Sequence, residues 1–464
     1  MNMQMKPILK AMAVLLLLAA CNTEPKVSQP NVIILFSDDA GYADFSMNGN
    51  EQIKTPNIDA IAANGLTFTN GYVSGPVCSP SRAGLMTGRY QQRFGHECNI
   101  GGTVICADAD SLGLPLSEKT FADAMKVHGY TTGMVGKWHL GEKDYYHPLR
   151  RGFDSFFGML GGSSPYFSGK AKRIMRDFTP VNQDSLPYLT DAFGDEACRF
   201  IESNQKKAFF LYLSFNAPHA PMQAKAEYVA EYRKQFETEQ RAINAAMTRS
   251  LDENVGKVMK KLKELGLEEN TLVFFLNDNG GAVAYNASCN YPFSGTKGTF
   301  LEGGVHVPFL LQWKGTIPAG IKYDAPVISL DIMPTALAAG GFDCPYDRGY
   351  DGVNLLPYIL KENKEAPHET LFWRLLYHGA VRKGDWKLLW FDDRAPRLYN
   401  LADDIGERHD LASQEPEKVQ ELLNDFHRWE EEVTVSPRWK SHPMWKEHSL
   451  DRYNQAYVDS LRKN

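Results

Sequence analysis

Uninterrupted apolar runs recur through the first three quarters of the chain. After Asn31, the run Val32-Ile33-Ile34-Leu35-Phe36 is apolar at every position and β-branched at its start. That predicts a strand buried on both faces rather than one with a wet side. Residues 131–135, 208–214, 271–276 and 307–312 repeat the pattern. Between these runs the period lengthens. Residues 57–64, 120–128 and 191–203 read as amphipathic helices. The longest helix covers about 237–265, where Ile243, Ala246, Met247, Leu251, Val255, Val258, Met259 and Leu262 recur at helical spacing. Strands alternating with helices predict an α/β fold with a mostly parallel central sheet, sandwiched by helices.

The texture changes after about residue 346. Short strands are predicted at 370–375, 379–382, 386–391 and 397–400, separated by turn residues, and a charged helix at 416–432. These make a smaller C-terminal antiparallel sheet-plus-helix subdomain. The last stretch, to residue 464, is rich in Trp, His, Lys and Arg and carries little pattern. The expected division is therefore 31–345 and 346–464.

At the other end, Lys6 and Lys10 precede an apolar run over 12–20 that is too short to span a bilayer. It closes on Leu18-Ala19-Ala20-Cys21, which resembles a bacterial lipobox. The resemblance implies a signal peptide over 1–20, a lipid on Cys21 and a polar tether over 21–30. Asn22 is not the aspartate of inner-membrane retention and no acidic cluster follows Cys21. The expected location is the periplasmic face of the outer membrane. A net charge of −6 offers no footprint for nucleic acid. Seven cysteines are too few for a disulfide scaffold. Cys98 and Cys106 are close enough in sequence for a bridge, although sequence does not assign one.

Chemistry gathers where the strands end. Asp38-Asp39 follows the first strand, and Asn277-Asp278-Asn279-Gly280-Gly281 follows the run at 271–276. The C-terminal edge of a parallel sheet is where open α/β folds bind ligands. Asp38, Asp39, Asp278 and Asn279 form an all-oxygen set, which favours Ca²⁺ or Mg²⁺ over zinc. Gly136-Lys137-Trp138-His139-Leu140-Gly141 follows a third strand, and Asn216-Ala217-Pro218-His219-Ala220-Pro221 a fourth. Gly295-Thr296-Lys297-Gly298 precedes Glu302-Gly303-Gly304.

The most specific segment is Cys78-Ser79-Pro80-Ser81-Arg82, with Thr87-Gly88-Arg89 downstream. It resembles the type I sulfatase signature, Cys-X-Pro-X-Arg. The strand-end motifs above also resemble that family in their order, as do Thr55-Pro56-Asn57-Ile58-Asp59 and Arg151-Gly152-Phe153-Asp154. The resemblance implies an alkaline phosphatase-like fold and a formylglycine-dependent sulfatase. In that reading a maturation enzyme oxidises Cys78 to formylglycine, whose hydrate is the nucleophile. Asp38, Asp39, Asp278 and Asn279, with residue 78, hold one Ca²⁺. Lys137 and Lys297 neutralise the sulfate, and Arg82 pairs with the diol and braces the metal site. His139 hydrogen-bonds the diol, and His219 is the acid for the departing alcohol.

The implied reaction is hydrolysis of a sulfate monoester on a carbohydrate, with galactose or N-acetylgalactosamine sulfates favoured. The alternatives are a phosphonate or phosphodiester hydrolase of the same superfamily and a non-catalytic glycan-binding lipoprotein. Two positions depart from the family pattern. Asn277 stands where Ser is frequent, and His306 stands where Arg commonly follows Glu-Gly-Gly, so His306 is expected to alter the pocket. The pocket wall is sought outside the motifs, at Gln91, Arg93, His96, Glu97 and Asn99, at 163–167 and 286–293, and at Trp373 with Arg374.

Overall fold

Seven strands build the central sheet: β1 (Asn31–Ser37), β2 (Leu66–Phe68), β3 (Thr131–Lys137), β4 (Ser155–Met159), β5 (Phe209–Ser214), β6 (Thr271–Asn277) and β7 (Phe309–Gln312). Three short strands extend its edges, and the order across it is Ile321–Tyr323, β2, β7, β6, β1, β5, β3, β4, Met175–Arg176, Thr179–Pro180. These positions come from a computed structural model that describes residues 29–461 apart from 102, 103, 107, 168, 171 and 172. The expected signal peptide, Cys21 and most of the tether lie outside the described residues.

β1 occupies the middle because it is apolar on both faces. Val32, Ile34 and Phe36 point into one apolar cluster with Phe210, Tyr212, Leu272 and Phe274. Ile33 and Leu35 point into the opposite one with Leu211, Leu213, Val273 and Phe275. The second face is covered by α2 (Leu189–Asn204) and α3 (Glu239–Glu264), the latter through Met247, Leu251, Val255 and Val258. The first is covered in part by α1 (Cys78–Thr87), every residue of which is buried. Truncating one fully buried leucine such as Leu251 to Ala in this arrangement costs about 2–5 kcal/mol.

β4, β3, β5, β1 and β6 run parallel, so five C-terminal strand ends share one edge. The run at 307–312 departs from the expectation: β7 pairs antiparallel with β6, and β2 antiparallel with β7. β4 has no counterpart among the strands read from sequence, because Ser155–Met159 is too short to show a period.

The C-terminal strands fall where the sequence places them. β8 (Thr370–Leu375), β9 (His378–Lys383), β10 (Trp386–Phe391) and β11 (Arg397–Asn400) form an antiparallel meander. α4 (Pro416–Val433) lies on it through Phe426 and Trp429, which pack on Trp390 and Phe372. Trp373, Val381 and Leu388 belong to the same apolar cluster as Val32, so the two sheets share one core. A buried ionic knot also ties the second sheet to segments outside both sheets. Lys387 Nζ lies 2.6 Å from Glu302 Oε1 and 3.0 Å from Glu407 Oε1, all three side chains being fully buried. The patternless tail folds as α5 (Met444–Asp451) and α6 (Gln455–Leu461).

Candidate active site

The turn after β1 sets two adjacent carboxylates in the sheet edge. Asp39 takes φ 63°, a left-handed conformation that aspartate tolerates better than most residues. Its backbone N–H donates to Asp278 Oδ1 at 3.2 Å, so the ends of β1 and β6 are tied together. Asn277 serves the same junction. Its Nδ2 donates to Ala40 O at 2.8 Å while its Oδ1 accepts from Ser37 Oγ, which gives the departure from Ser a structural role. Gly136, near the end of β3, has φ 107°, and a Cβ there would sit 1.8 Å from Ser214 O. Only glycine lets β3 approach β5 closely enough to deliver Lys137.

Cys78 opens α1, where the helix end favours negative charge. Its Sγ lies 3.0 Å from Lys297 Nζ, 3.5 Å from Asp38 Oδ1 and 4.0 Å from Asp39 Oδ1. Lys297 Nζ also donates to both Asp39 oxygens, at 2.7 and 2.9 Å. Lys137 Nζ donates to Asp38 Oδ2 at 2.6 Å. One turn along α1, Arg82 donates to Asp278 Oδ2 through Nε (3.1 Å) and Nη2 (2.7 Å), and through Nη1 to Ser214 Oγ (2.5 Å) and Lys137 O (3.1 Å). Its guanidinium lies over the Phe36 ring at 5.1 Å. His219 Nε2 is 3.5 Å from Asp39 Oδ2, and its Nδ1 is held by Ala220 O at 2.6 Å. His139 adopts φ 56°, turns Nε2 to Ile100 O at 3.0 Å, and leaves its buried Nδ1 without a hydrogen-bond partner.

Burial and charge compete throughout. Burial drives the Asp38 carboxyl well above its ordinary range, and the neighbouring Asp278 adds to this. Asp278 is held very low, because Arg82, Lys137 and Lys297 outweigh its burial. Asp39 also falls, with Lys297 and His219 overcoming burial. Burial and Asp278 push the Cys78 thiol up, yet Lys137 and Lys297 bring it down to about 7. Burial pulls the His219 imidazolium down, and Asp38 and Asp39 reverse the direction, so it is net raised. The set is almost sealed: only the side chains of His219 (21%) and Lys297 (15%) are appreciably exposed, which places the mouth beside them.

The donor set fits a hard divalent cation. Asp38, Asp39, Asp278 and Asn279 converge, and the Asn279 Oδ1 is buried with no partner while its Nδ2 donates to Asp39 Oδ1 at 2.8 Å. Ligand atoms of Asp38, Asp39, Cys78 and His219 lie within 4.8 Å of one another. A dication among these oxygens would offset both the burial and the Asp278 repulsion that favour a proton on Asp38.

Several residues expected in the pocket wall are committed to the fold instead. Trp373 is fully buried and donates its indole N–H to Val73 O at 2.7 Å. Arg374 is consumed by Glu97 (2.9 Å) and Glu430 (2.8 Å), and Glu97 also accepts from the Leu376 N–H. His96 Nε2 meets Ser79 Oγ at 2.7 Å, and Asn99 Oδ1 accepts the Ser79 N–H at 2.8 Å. Both brace the first turn of α1. Gln91 donates to Ser74 O, and Arg93 is paired with Asp351. Within 163–167, Tyr166 is buried with its hydroxyl 2.5 Å from Asn216 O and 2.8 Å from His219 O, its one proton shared between them, which holds the His219 loop. Within 286–293, Asn286 donates to Asp39 O at 2.9 Å. His306 is buried between Tyr72 and Phe293 and bonded to Glu302 and Thr69 O, so it supports the fold beneath the pocket rather than shaping its wall. Cys98 and Cys106 are both free. The Cys106 thiol donates to Asp108 O at 2.9 Å.

Sequence reading missed the C-terminal brace. Arg452 Nη1 donates to Lys297 O at 2.9 Å. The Tyr453 hydroxyl accepts the Phe300 N–H at 2.7 Å and meets His378 Nδ1 at 2.7 Å. Gly298 has φ 87°, and a Cβ there would lie 2.4 Å from Arg452 Nη1. The Lys297 loop is therefore held by residues from the tail. The only sequence signal was Gly298 itself, a residue that admits a close neighbour.

The sulfatase family model matches residues 30–342. The N-acetylgalactosamine-6-sulfatase of Mus musculus is 35% identical over 374 residues, covering 76% of this chain and 70% of that one. Among solved structures, Ps i-CgsB superposes with a TM-score of 0.83 at 32% identity, covering 94% of this chain and all of that one. A second structure of Ps i-CgsB, in complex with k-i-k-neocarrahexaose, superposes with a TM-score of 0.82, with the same identity and coverage. The chain belongs to the sulfatase family and is a sulfuric ester hydrolase.

Proposed function

We propose that this sulfatase hydrolyses sulfate monoesters on galactose- or N-acetylgalactosamine-type sugars of glycans, using formylglycine at position 78 and one Ca²⁺. The observation that carries the reading is the setting of Cys78: buried at a helix N-terminus, 3.0 Å from Lys297 Nζ, facing Asp38 and Asp39. The names of the related proteins, one acting on an N-acetylgalactosamine sulfate and one bound to a neocarrahexaose, favour hexose sulfates.

Formylglycine, as its hydrate, supplies a nucleophile whose second hydroxyl lets sulfate leave without a further attack at sulfur. Asp38, Asp39, Asp278 and Asn279 would hold Ca²⁺, which supplies positive charge and lowers the pKa of an adjacent hydroxyl. The chain's own groups do the rest. Lys297 and Lys137 flank position 78 and receive the sulfate oxygens, whose charge spreads in the transition state. Arg82 is too fully engaged to leave Asp278, so it fixes the carboxylate and the helix turn that carries residue 78. His139 offers its unpartnered Nδ1 to that residue. His219 Nδ1 is held by a carbonyl, so a proton on Nε2 requires the imidazolium. The carboxylates beside it favour that form, and its position at the mouth suits delivery to the departing alcohol.

The lipobox-like segment supports anchoring through Cys21 on the periplasmic face of the outer membrane. The test is peptide mass spectrometry across residue 78, on protein co-produced with a formylglycine-generating enzyme, paired with sulfate release from sulfated galactose and N-acetylgalactosamine. The expected result is an aldehyde mass together with release. An aldehyde without release from any sulfated sugar would overturn the carbohydrate reading. An intact thiol in an active preparation would overturn the formylglycine.

A further inference from the structure

A cleft of about 1100 Å³ opens beside the residues that pack on His139. Two of its lining residues touch that imidazole: Ile100 accepts from Nε2, and a Cβ on Gly162 would lie 2.7 Å from the same atom. The peptide carbonyl of His139 in turn accepts from Ser79 Oγ, next to Cys78. His139 thus touches the lining of the cleft with its ring and, through its peptide carbonyl, the helix turn that carries Cys78.

The cleft has an apolar floor and a charged rim. Leu160, Met175 and Phe178 supply the floor, and Phe178 is 45% exposed. Arg150 lies over the Phe178 ring at 5.3 Å, and His147 stacks on it at 4.3 Å. At the rim, Arg173 pairs with Glu142 at 3.0 Å and Arg150 with Asp144 at 3.6 Å. All four side chains are between 48% and 83% exposed. Ion pairs so exposed are weakly held, and an arginine freed from one meets a sulfate with the same planar fork.

We propose that this cleft is a subsite for the sugar next to the one being hydrolysed, and that Arg150 and Arg173 bind a second anionic substituent on it. The apolar floor takes the C–H face of the ring, and the arginines exchange Asp144 and Glu142 for the substituent. The enzyme then prefers a polyanionic oligosaccharide to a sulfated monosaccharide. The inference rests on the carbohydrate reading above and adds where the rest of the chain lies and what it must carry.

Calorimetric titration of the full-length Cys78→Ser protein, which cannot turn over, tests it. The probes are a sulfated galactan hexasaccharide, the same hexasaccharide desulfated, and galactose 6-sulfate. Replacing Arg150 and Arg173 together by Ala is expected to weaken the sulfated hexasaccharide by about tenfold or more and leave galactose 6-sulfate unchanged. The opposite pair, Glu142→Gln with Asp144→Asn, is expected to tighten the sulfated hexasaccharide. An unchanged hexasaccharide Kd in the arginine double variant, or equal losses on both sulfated ligands, would overturn the subsite. Equal affinity for the desulfated hexasaccharide would overturn the anion recognition. Binding of none of the three probes would sink the carbohydrate reading itself, and the subsite with it. Thermal unfolding of each variant checks the fold, which these exposed side chains are not expected to perturb.

Discussion

At the scale of single residues, the proposed mechanism separates groups that act on sulfate from groups that act on the leaving alcohol. His219 stands at the mouth and Lys137 at the floor, so their loss has different signatures. His219→Ala is expected to slow sugar sulfates more than nitrophenyl sulfate, because only the sugar alkoxide needs a proton to depart. Equal losses on the two substrates would remove His219 from that role. Arg82→Lys is expected to cut kcat at least about a hundredfold, because a lysine cannot reproduce the two bonds to Asp278 and the bond to Ser214. It also leaves a buried charge poorly paired, so its Tm falls with its activity, and unfolding scans beside initial rates would show both.

Among elements, what the sequence reveals depends on whether a residue's role follows from its own segment. Asp38, Asp278, Lys137 and His219 stand in short segments directly after apolar runs, and a parallel sheet sends all such segments to one edge. They were legible for that reason. The direction of β7 was not, because an apolar run reads the same in either orientation. Trp373 and Arg374 look like sugar readers in sequence, yet alternation along β8 turns the tryptophan into the core while Glu97 consumes the arginine. The least legible feature was the grip of the tail on the Lys297 loop. α5 and α6 show no clean apolar stripe, and nothing local links Arg452 to a loop so far upstream. The grip has a measurable consequence. Arg452→Ala is expected to lower kcat about tenfold or more with a smaller change in KM, through misplacement of Lys297. Arg452→Lys should recover part of the loss, and no change in rate for the alanine variant would show that the loop holds its place without the tail.

For the molecule as a whole, charge buried in two places makes stability depend on solution conditions. Ca²⁺ is expected to raise the Tm and EDTA to lower it. Saturation at a hundred times Kd is worth about 2.7 kcal/mol. Asp39→Asn and Asp278→Asn should abolish that response in differential scanning fluorimetry. The second place is the knot of Lys387 with Glu302 and Glu407. Burial carries Glu407 up to about 7 in spite of Lys387, against an ordinary 4.5. The folded state therefore keeps a proton that the unfolded chain releases. Stability from this group is full at low pH and declines as pH rises between those values. Glu407→Gln removes the decline. Its Tm, compared with the unsubstituted protein, should improve between pH 5 and pH 8, and a difference that stays flat across that range would show that Glu407 does not titrate there.

Cys78 is 1% exposed, and Lys297, which contacts its Sγ, stands on a loop that Arg452 and Tyr453 hold. Read as a sequence of events during synthesis, that burial fixes an order. Cysteine 78 leaves the ribosome early, and the two residues that clamp the Lys297 loop leave it almost last. Until they arrive the Lys297 loop lacks its clamp, and in the folded protein the thiol is buried. If formylglycine forms at position 78 as proposed, the oxidation belongs to the interval before that clamp arrives, and the pace of synthesis then sets what fraction of the protein becomes competent.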